Sequence, residues 1–318
     1  MAGLAHLTIR AENTVNDLVA DMQKIAARMP LVSVVMPSLN QGRFIEASVD
    51  SVLGQGYRRL ELIVADGGST DGTQATLVRL QSGDSRLRWF SEADDGPADA
   101  LNKALLRTRG TLIGWLNSDD LYVPGTVARA VAAMEGAHSP VMVYGHGQHI
   151  DEGGTVLGAY PTERPEGAIE RFRDGCFICQ PTVFFKRTLW QLLGPLDRTL
   201  KTAFDFDYWV RAFLMFPGRI GFVDALQASS RLHHGCITKK MRRTVAMEGV
   251  RVIAKHLGNA PAHWVLTYAD ELLRMDSASR PLQDLRAHLE QTVAELAGCF
   301  GADELQQLHI AMRTDRRF

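Results

Sequence analysis

Between residues 31 and 116 the chain alternates four β-rich runs with three stretches of helical spacing, and this limits the fold more than any other feature. The runs lie at 31–36, 60–65, 87–90 and 111–116, with helices predicted at 44–53, 70–80 and 97–107. The first run, LVSVVM, is almost continuously apolar and lacks a 3.6-residue period, as expected of a strand covered on both faces. In the first helix, Ile45, Val49, Val52 and Leu53 recur at helical intervals. Ser69 or Thr70 caps the second, and Pro97 stands in the first turn of the third. Such alternation predicts an α/β fold, a mostly parallel twisted sheet flanked by helices and joined by right-handed crossovers.

Each of these strands runs into polar or acidic residues. The ends read Pro37-Ser38-Leu39-Asn40, Asp66-Gly67-Gly68-Ser69-Thr70-Asp71-Gly72, Glu92 with Asp94, Asp95 and Gly96, and Asn117-Ser118-Asp119-Asp120. Open parallel sheets bind ligands in the crevice outside the carboxyl ends of their strands, so four such ends predict one shared site. Capping and turn formation are the competing explanation. For Asp71-Gly72 both readings stay open. For Asp119-Asp120 the site reading is preferred, because adjacent carboxylates after a buried strand repel unless a cation lies between them and a ligand. Oxygen ligands of this kind suit Mg²⁺ or Mn²⁺ shared with substrate phosphates. There is no GxxxxGK[ST] loop, and Gly54-Gln55-Gly56 precedes a strand instead of linking a strand to a helix. The residues therefore predict a metal-assisted diphosphate site built from acids.

Beyond residue 120 the pattern loosens. Strands are expected at 141–144 and 155–160, helices at 184–193 and 208–216, and helices again from about 241, including 264–275 and a stripe of Leu282, Leu285, Leu289, Val293 and Leu296. A further amphipathic helix is expected at 13–29. Composition narrows the function. With 35 basic against 36 acidic residues, the formal charge of −1 gives no electrostatic reason to expect a nucleic-acid partner. No apolar run reaches the length of a membrane helix, and polar residues interrupt the first thirty positions. A cytoplasmic protein is expected, at most peripheral on the inner face of the membrane. Cys176, Cys179, His233, His234 and Cys236 could form a zinc site, but the CxxC lies in an apolar stretch, where buried thiols are the simpler explanation.

The segments PSLNQGRFIEASVDSVLGQ, ELIVADGGSTDGT, SEADDGPADALNKAL and GTLIGWLNSDDLYVPG, followed by QPTVFFKR, GPLDRTLKTAFDFDYWVR and RLHHGCIT, closely resemble the inverting family 2 glycosyltransferases with the GT-A fold. The resemblance covers about residues 31–240. It implies a nucleotide half at 31–120 and an acceptor half at 121–240, with helical extensions at 1–30 and 241–318. By the same resemblance Pro37 and Asn40 border the base, Asp66 accepts from a uracil-type imide, and Asp95 and Lys103 line the nucleotide-sugar pocket. NSDD stands in place of the DXD motif. It makes Asp119 a metal ligand with Asp120 beside it, and puts Asn117 and Ser118 against the nucleotide, Asn117 replacing the usual first acid. Asp205 corresponds to the general base, with Phe204 replacing the preceding Glu. His233 corresponds to a histidine near the diphosphate or metal, although packing alone would also explain it. Asp207 is as readily structural as catalytic, and Trp209 serves equally as a sugar platform or a core residue.

The implied function is inverting transfer of a sugar from a nucleoside diphosphate donor, UDP-sugar favoured, to a glycan or lipid-linked acceptor with Mn²⁺ or Mg²⁺. This is the chemistry of cell-envelope polysaccharide assembly. Inversion takes one in-line displacement, one base and no covalent intermediate. Two alternatives are a sugar nucleotidyltransferase, for which 38–43 is a poor triphosphate loop, and a catalytically silent scaffold. The apolar stripes at 15–29 and 282–296, with the basic tail Arg313, Arg316 and Arg317, suggest a homo-oligomer or peripheral membrane contact through the terminal helices.

Overall fold

The computed structural model describes residues 29–135, 139–166, 168–275 and 282–314. The strands are β1 (Val32–Ser38), β2 (Leu60–Asp66), β3 (Leu87–Ser91), β4 (Leu112–Trp115), β5 (Leu121–Tyr122), β6 (Met142–Ile150), β7 (Val156–Ala159), β8 (Phe184–Lys186) and β9 (Ile220–Arg231). The longer helices are α1 (Ile45–Leu53), α2 (Thr73–Gly83), α3 (Pro97–Arg107), α4 (Thr126–Glu135), α5 (Arg187–Leu193), α6 (Phe204–Met215), α7 (Arg242–Leu257), α8 (His263–Met275), α9 (Leu282–Leu296) and α10 (Ala302–Thr314). The strands form one mixed sheet in the order β3-β2-β1-β4-β8-β6-β9-β5, with β7 added to β6.

Period-two packing explains why the first run is apolar throughout. Val32, Val34 and Met36 of β1 enter one core with Val49, Leu62 and Val64, while Val35 enters the core on the other face with Ile63, Leu101 and Trp115. The four expected strands all form, and β1 pairs in parallel with β2 and β4, as β2 does with β3. Their register sets Ser38 opposite Asp66 and Asp66 opposite Ser91, so the polar ends of three strands lie on one line.

The second half departs from expectation in several places. Residues 184–186 form a strand, not the start of a helix: β8 pairs antiparallel with both β4 and β6. Phe184 and Phe185 enter opposite cores, which is strand periodicity, and the helix begins only at Arg187. The helix expected from 208 starts at Phe204. Strand β9 was not anticipated, yet it pairs along the whole of β6 and returns its last residues to β5. The stripe at 282–296 needs another correction. Leu285, Leu289, Val293 and Leu296 are buried in the same core as Trp209 and Val250, so they offer no free apolar face for an oligomer or a membrane. The helix expected at 13–29 and the tail residues Arg316 and Arg317 lie outside the described residues. No helix among the described residues is long and apolar enough to cross a membrane.

Candidate active site

The line of strand ends gathers polar groups around Asp66. Asp66, buried at the last position of β2, accepts through Oδ2 from the amides of Gly68 (3.2 Å) and Ser69 (3.1 Å), Gln74 Nε2 (3.0 Å) and the Ser91 hydroxyl (2.7 Å). Burial opposes its charge, but these hydrogen bonds outweigh it and hold the carboxyl below the usual range. The other oxygen, Oδ1, is buried without a hydrogen-bond partner.

Two loops are tied together beside Asp66. Asn40, in a left-handed conformation (φ 54°), gives its amide N–H to Ser69 Oγ and accepts from the Thr70 amide through Oδ1. Asp71 accepts from the Gly42 amide and from both the amide and hydroxyl of Thr73, which settles its role as a loop clamp. Pro37 is buried within β1, level with Ala65. On the third strand end, Asp94 lies against Gly67, where a Cβ would stand 2.5 Å from Asp94 Oδ2. The resemblance assigns Asp95 to the lining of the nucleotide-sugar pocket. Its side chain is exposed, with only a 3.9 Å ion pair to Arg198. Lys103 is tied back to Asp99 (2.9 Å) and to the Ala93 carbonyl (2.7 Å), so its ammonium is already engaged by protein groups.

The fourth strand end carries the acidic pair. Asp119 Oδ2 lies 2.8 Å from His233 Nε2, and Cys236 Sγ completes a group whose ligand atoms all fall within 4.8 Å of one another. Asp120 turns inward. It accepts the Arg231 amide at 2.8 Å, and burial with the neighbouring Asp119 charge pushes its carboxyl well above the usual range. Asn117 also faces inward, donating to Gln180 (2.9 Å) and Asp120 (3.4 Å) and accepting from Trp115 Nε1 (3.1 Å). The ribose contact expected of Asn117 therefore finds its amide occupied, and Ser118 beside it is buried. Sequence reasoning missed Arg231, a buried cation that donates through Nε to the Asp119 carbonyl (2.8 Å) and lies over the Phe44 ring.

The donor set suits a divalent ion. A carboxylate oxygen and an imidazole nitrogen 2.8 Å apart are spaced like neighbouring ligands of one small cation. The Gly235 amide lies 3.1 Å from His233 Nδ1, and the ring turns Nε2 toward Asp119. Asp120, expected beside Asp119 at the metal, is buried and bonded to the Arg231 amide.

Asp205 lies in the first turn of α6, partly buried, with Oδ1 accepting the Phe206 amide at 2.7 Å. Burial raises its pKa to about 6, helped by the negative charge of Glu248. Trp115, two residues before Asn117, stacks on Phe204 at 5.7 Å and brings this turn to the β4 end of the site. Asp207 points away. It pairs with His256 (2.7 Å), Arg211 (2.8 Å) and Lys255 (3.2 Å), a structural role. Trp209 is fully buried and serves the core, not a sugar platform. Cys176 and Cys179 do not join the metal group, and burial pushes both thiols up.

Parallel β1, β2 and β4 with an acid-lined carboxyl edge, continued by a mixed half-sheet, define a GT-A fold. Solved structures of that fold superpose on most of the chain. S. aureus TarS 1–349 in complex with UDP-GlcNAc matches at TM-score 0.62 and 22% identity, covering 89% of this chain and 88% of that one. The mannosyltransferase PcManGT from Pyrobaculum calidifontis, in complex with GDP-Man and Mn²⁺, matches at TM-score 0.56 and 20% identity over 92% and 89%. The model of the family described as Glycosyl transferase family 2 matches residues 33–193, half of the chain, and the protein belongs to that family. A PGL/p-HBAD biosynthesis glycosyltransferase of Mycobacterium bovis is 33% identical over 190 residues, 58% of this chain and 70% of its own. An uncharacterized glycosyltransferase of Rickettsia bellii is 26% identical over 238 residues, 70% of this chain. The chain spans about a third of the length of that relative and of a similar one from Rickettsia felis.

Proposed function

We propose that the protein transfers a sugar with inversion from a UDP-sugar to a glycan or lipid-linked acceptor, with a divalent cation at Asp119 and His233 and Asp205 as general base. The observation that carries this reading is Asp66: its free, buried Oδ1 matches the imide N–H of a uracil base. A diphosphate attached to such a base would be held at the strand end that carries Asp119 and His233. The TarS complex with UDP-GlcNAc and the PcManGT complex with Mn²⁺ support a nucleotide-sugar donor and a metal. Pro37 and Asn40 border the base, and Asp95 and Lys103 line the nucleotide-sugar pocket, with Asp94 beside Gly67.

Asp205 receives the acceptor hydroxyl proton, and a pKa of about 6 keeps it mostly ionised at neutral pH yet basic enough for the task. A divalent ion held by Asp119 and His233, Mn²⁺ or Mg²⁺, would offset the charge that develops on the departing diphosphate. Arg231 holds the backbone of Asp119 and the carboxyl of Asp120, fixing the acidic turn. No covalent intermediate is needed. Titration calorimetry with UDP, UDP-GlcNAc and GDP-mannose, each in Mn²⁺ and in EDTA, tests the reading. Tight binding of the uridine ligands only with Mn²⁺, lost in Asp119→Ala and weakened at least about 10-fold in Asp66→Ala, is expected, since a hydrogen bond to a charged group contributes about 1.5–3 kcal/mol. Equal affinity in EDTA and Mn²⁺ would refute the metal role, and indifference to Asp66→Ala would refute the base pocket.

A further inference from the structure

Helix α6 has no side-chain cap of its own: Ala203 occupies the N-cap position. The amide groups leading into it are satisfied from another helix. The buried carboxylate of Glu248, in α7, accepts from the amides of Lys201 (2.8 Å), Thr202 (2.8 Å) and Ala203 (3.0 Å) and from the Thr202 hydroxyl (2.7 Å). Four donors on one buried carboxylate make a charge-assisted clasp on the segment that ends two residues before Asp205. Lys201 continues the link outward, its Nζ donating to the Asp95 carbonyl at 2.7 Å in the loop after β3. The clasped segment therefore joins α7, the first turn of α6 and the rim of the donor pocket.

We propose that Glu248 is a positioning residue for the transfer reaction, holding residues 201–203 so that Asp205 presents its carboxylate to the acceptor. The inference rests on the reading of Asp205 as the base. Glu248 lies beyond the segment matched by the family model, in a region that sequence reasoning treated as an extension. Its role here makes α7 part of the site. The groups facing Asp205 from packed elements are Glu248 from α7, the Cys176 thiol and the Tyr160 phenol; the last two are held neutral by burial. Glu248 is thus the charged group acting on Asp205, and its negative charge favours the protonated acid.

The experiment uses full-length protein in wild-type, Glu248→Gln, Thr202→Val and Asp205→Asn forms. Amide hydrogen exchange follows Lys201, Thr202 and Ala203. Carboxyl ¹³C titration follows Asp205, assigned by its absence from Asp205→Asn, and UDP release from UDP-GlcNAc in Mn²⁺ is recorded against pH. Glu248→Gln is expected to speed exchange at the three amides at least about 10-fold. It should also lower the Asp205 midpoint from about 6 toward the ordinary value and carry the acid limb of UDP release with it, while Mn²⁺-dependent UDP affinity is unchanged. Wild-type exchange with a wild-type midpoint would overturn the proposal. If Glu248→Gln fails to fold, Thr202→Val decides: it keeps the charge and removes one bond, so faster exchange at Lys201 and Ala203 with an unmoved midpoint supports the clasp, and unchanged exchange overturns it. Wild-type UDP release by Asp205→Asn would overturn the base reading and with it the positioning role, whereas failure of the clasp alone shows as unchanged exchange and midpoint in Glu248→Gln with UDP release still lost in Asp205→Asn.

Discussion

Asp205 and Asp207, one helical turn's neighbours, are driven in opposite directions by their surroundings, and the signs can be tested. Asp205 moves from 3.8 to about 6 on folding, first through burial and then through Glu248. The fold favours its protonated form, so its contribution is full below pH 3.8 and lost as pH rises through about 6. Asp205→Asn should therefore stabilise the protein at pH 7.5 by about 2–3 kcal/mol and have little effect near pH 4, while transfer falls about 10²-fold or more. Urea melts at the two pH values, paired with a transfer assay, check both parts; a variant equally stable and equally active would make Asp205 a bystander. Asp207 is also penalised by burial, but His256, Arg211 and Lys255 outweigh that penalty and take it to about 2. Its contribution is present above pH 3.8 and lost as pH falls through about 2. Asp207→Asn should cost about 2 kcal/mol at pH 7, a deficit that narrows below pH 4 in melts extended toward about pH 2, with chemistry spared. The acids at strand ends were legible in the sequence because they follow apolar runs directly. Asp66 and Asp119 needed only that logic. Arg231 and Glu248 were not legible, since their partners come from distant segments and nothing local distinguishes a clasping carboxylate from a surface one. Asp94 and Asp95 could not be separated until the loop placed one against Gly67.

Element by element, the expected parallel strands formed because one physical signal, apolar runs bounded by polar turns, marks strands covered on both faces. Antiparallel β8 and β9 broke that pattern. Phe184 and Phe185 alternate between faces for only three residues before a real helix starts, so 3.6-residue spacing absorbed them. Strand β9 mixes buried and half-exposed positions along its length, which hides a two-residue period. Helix α9 was read correctly as a helix and wrongly as a free surface, because periodicity reports which face is apolar but not what covers it. Its packing carries a consequence. Leu289 is 1% exposed within the larger core, so Leu289→Ala should destabilise the whole protein by about 2–5 kcal/mol, visible as a lower midpoint in a urea melt followed by tryptophan fluorescence. An association helix would give the opposite result, a change in sizing with no change in melt.

For the whole molecule, the question is whether the residues past 240 are an appendage or part of the folding unit. The larger core runs without interruption from Val35 and Trp115 through Phe204 and Trp209 to Val250, Leu289, Leu308 and Met312. Trp264 of α8 packs on Phe206 with ring centroids 5.6 Å apart, and it lies so close to Gly249 that a Cβ there would stand 2.3 Å from the ring. Polar groups cross the same boundary. Removing α7 would leave the Lys201, Thr202 and Ala203 amides without Glu248, and Asp207 without His256 and Lys255. A buried carboxylate stripped of its partners costs several kcal/mol, comparable with the 5–15 kcal/mol that holds a typical domain together. A chain ending at residue 240 is therefore expected to be insoluble or molten, without the sharp near-ultraviolet circular dichroism of packed aromatics. The full chain should unfold in one transition, with far-ultraviolet circular dichroism, tryptophan fluorescence and amide exchange in α9 reporting the same midpoint. Two separated transitions, or a truncated protein that still binds UDP and Mn²⁺ with wild-type affinity, would show the helical layer to be dispensable and return the active site to the first 240 residues alone.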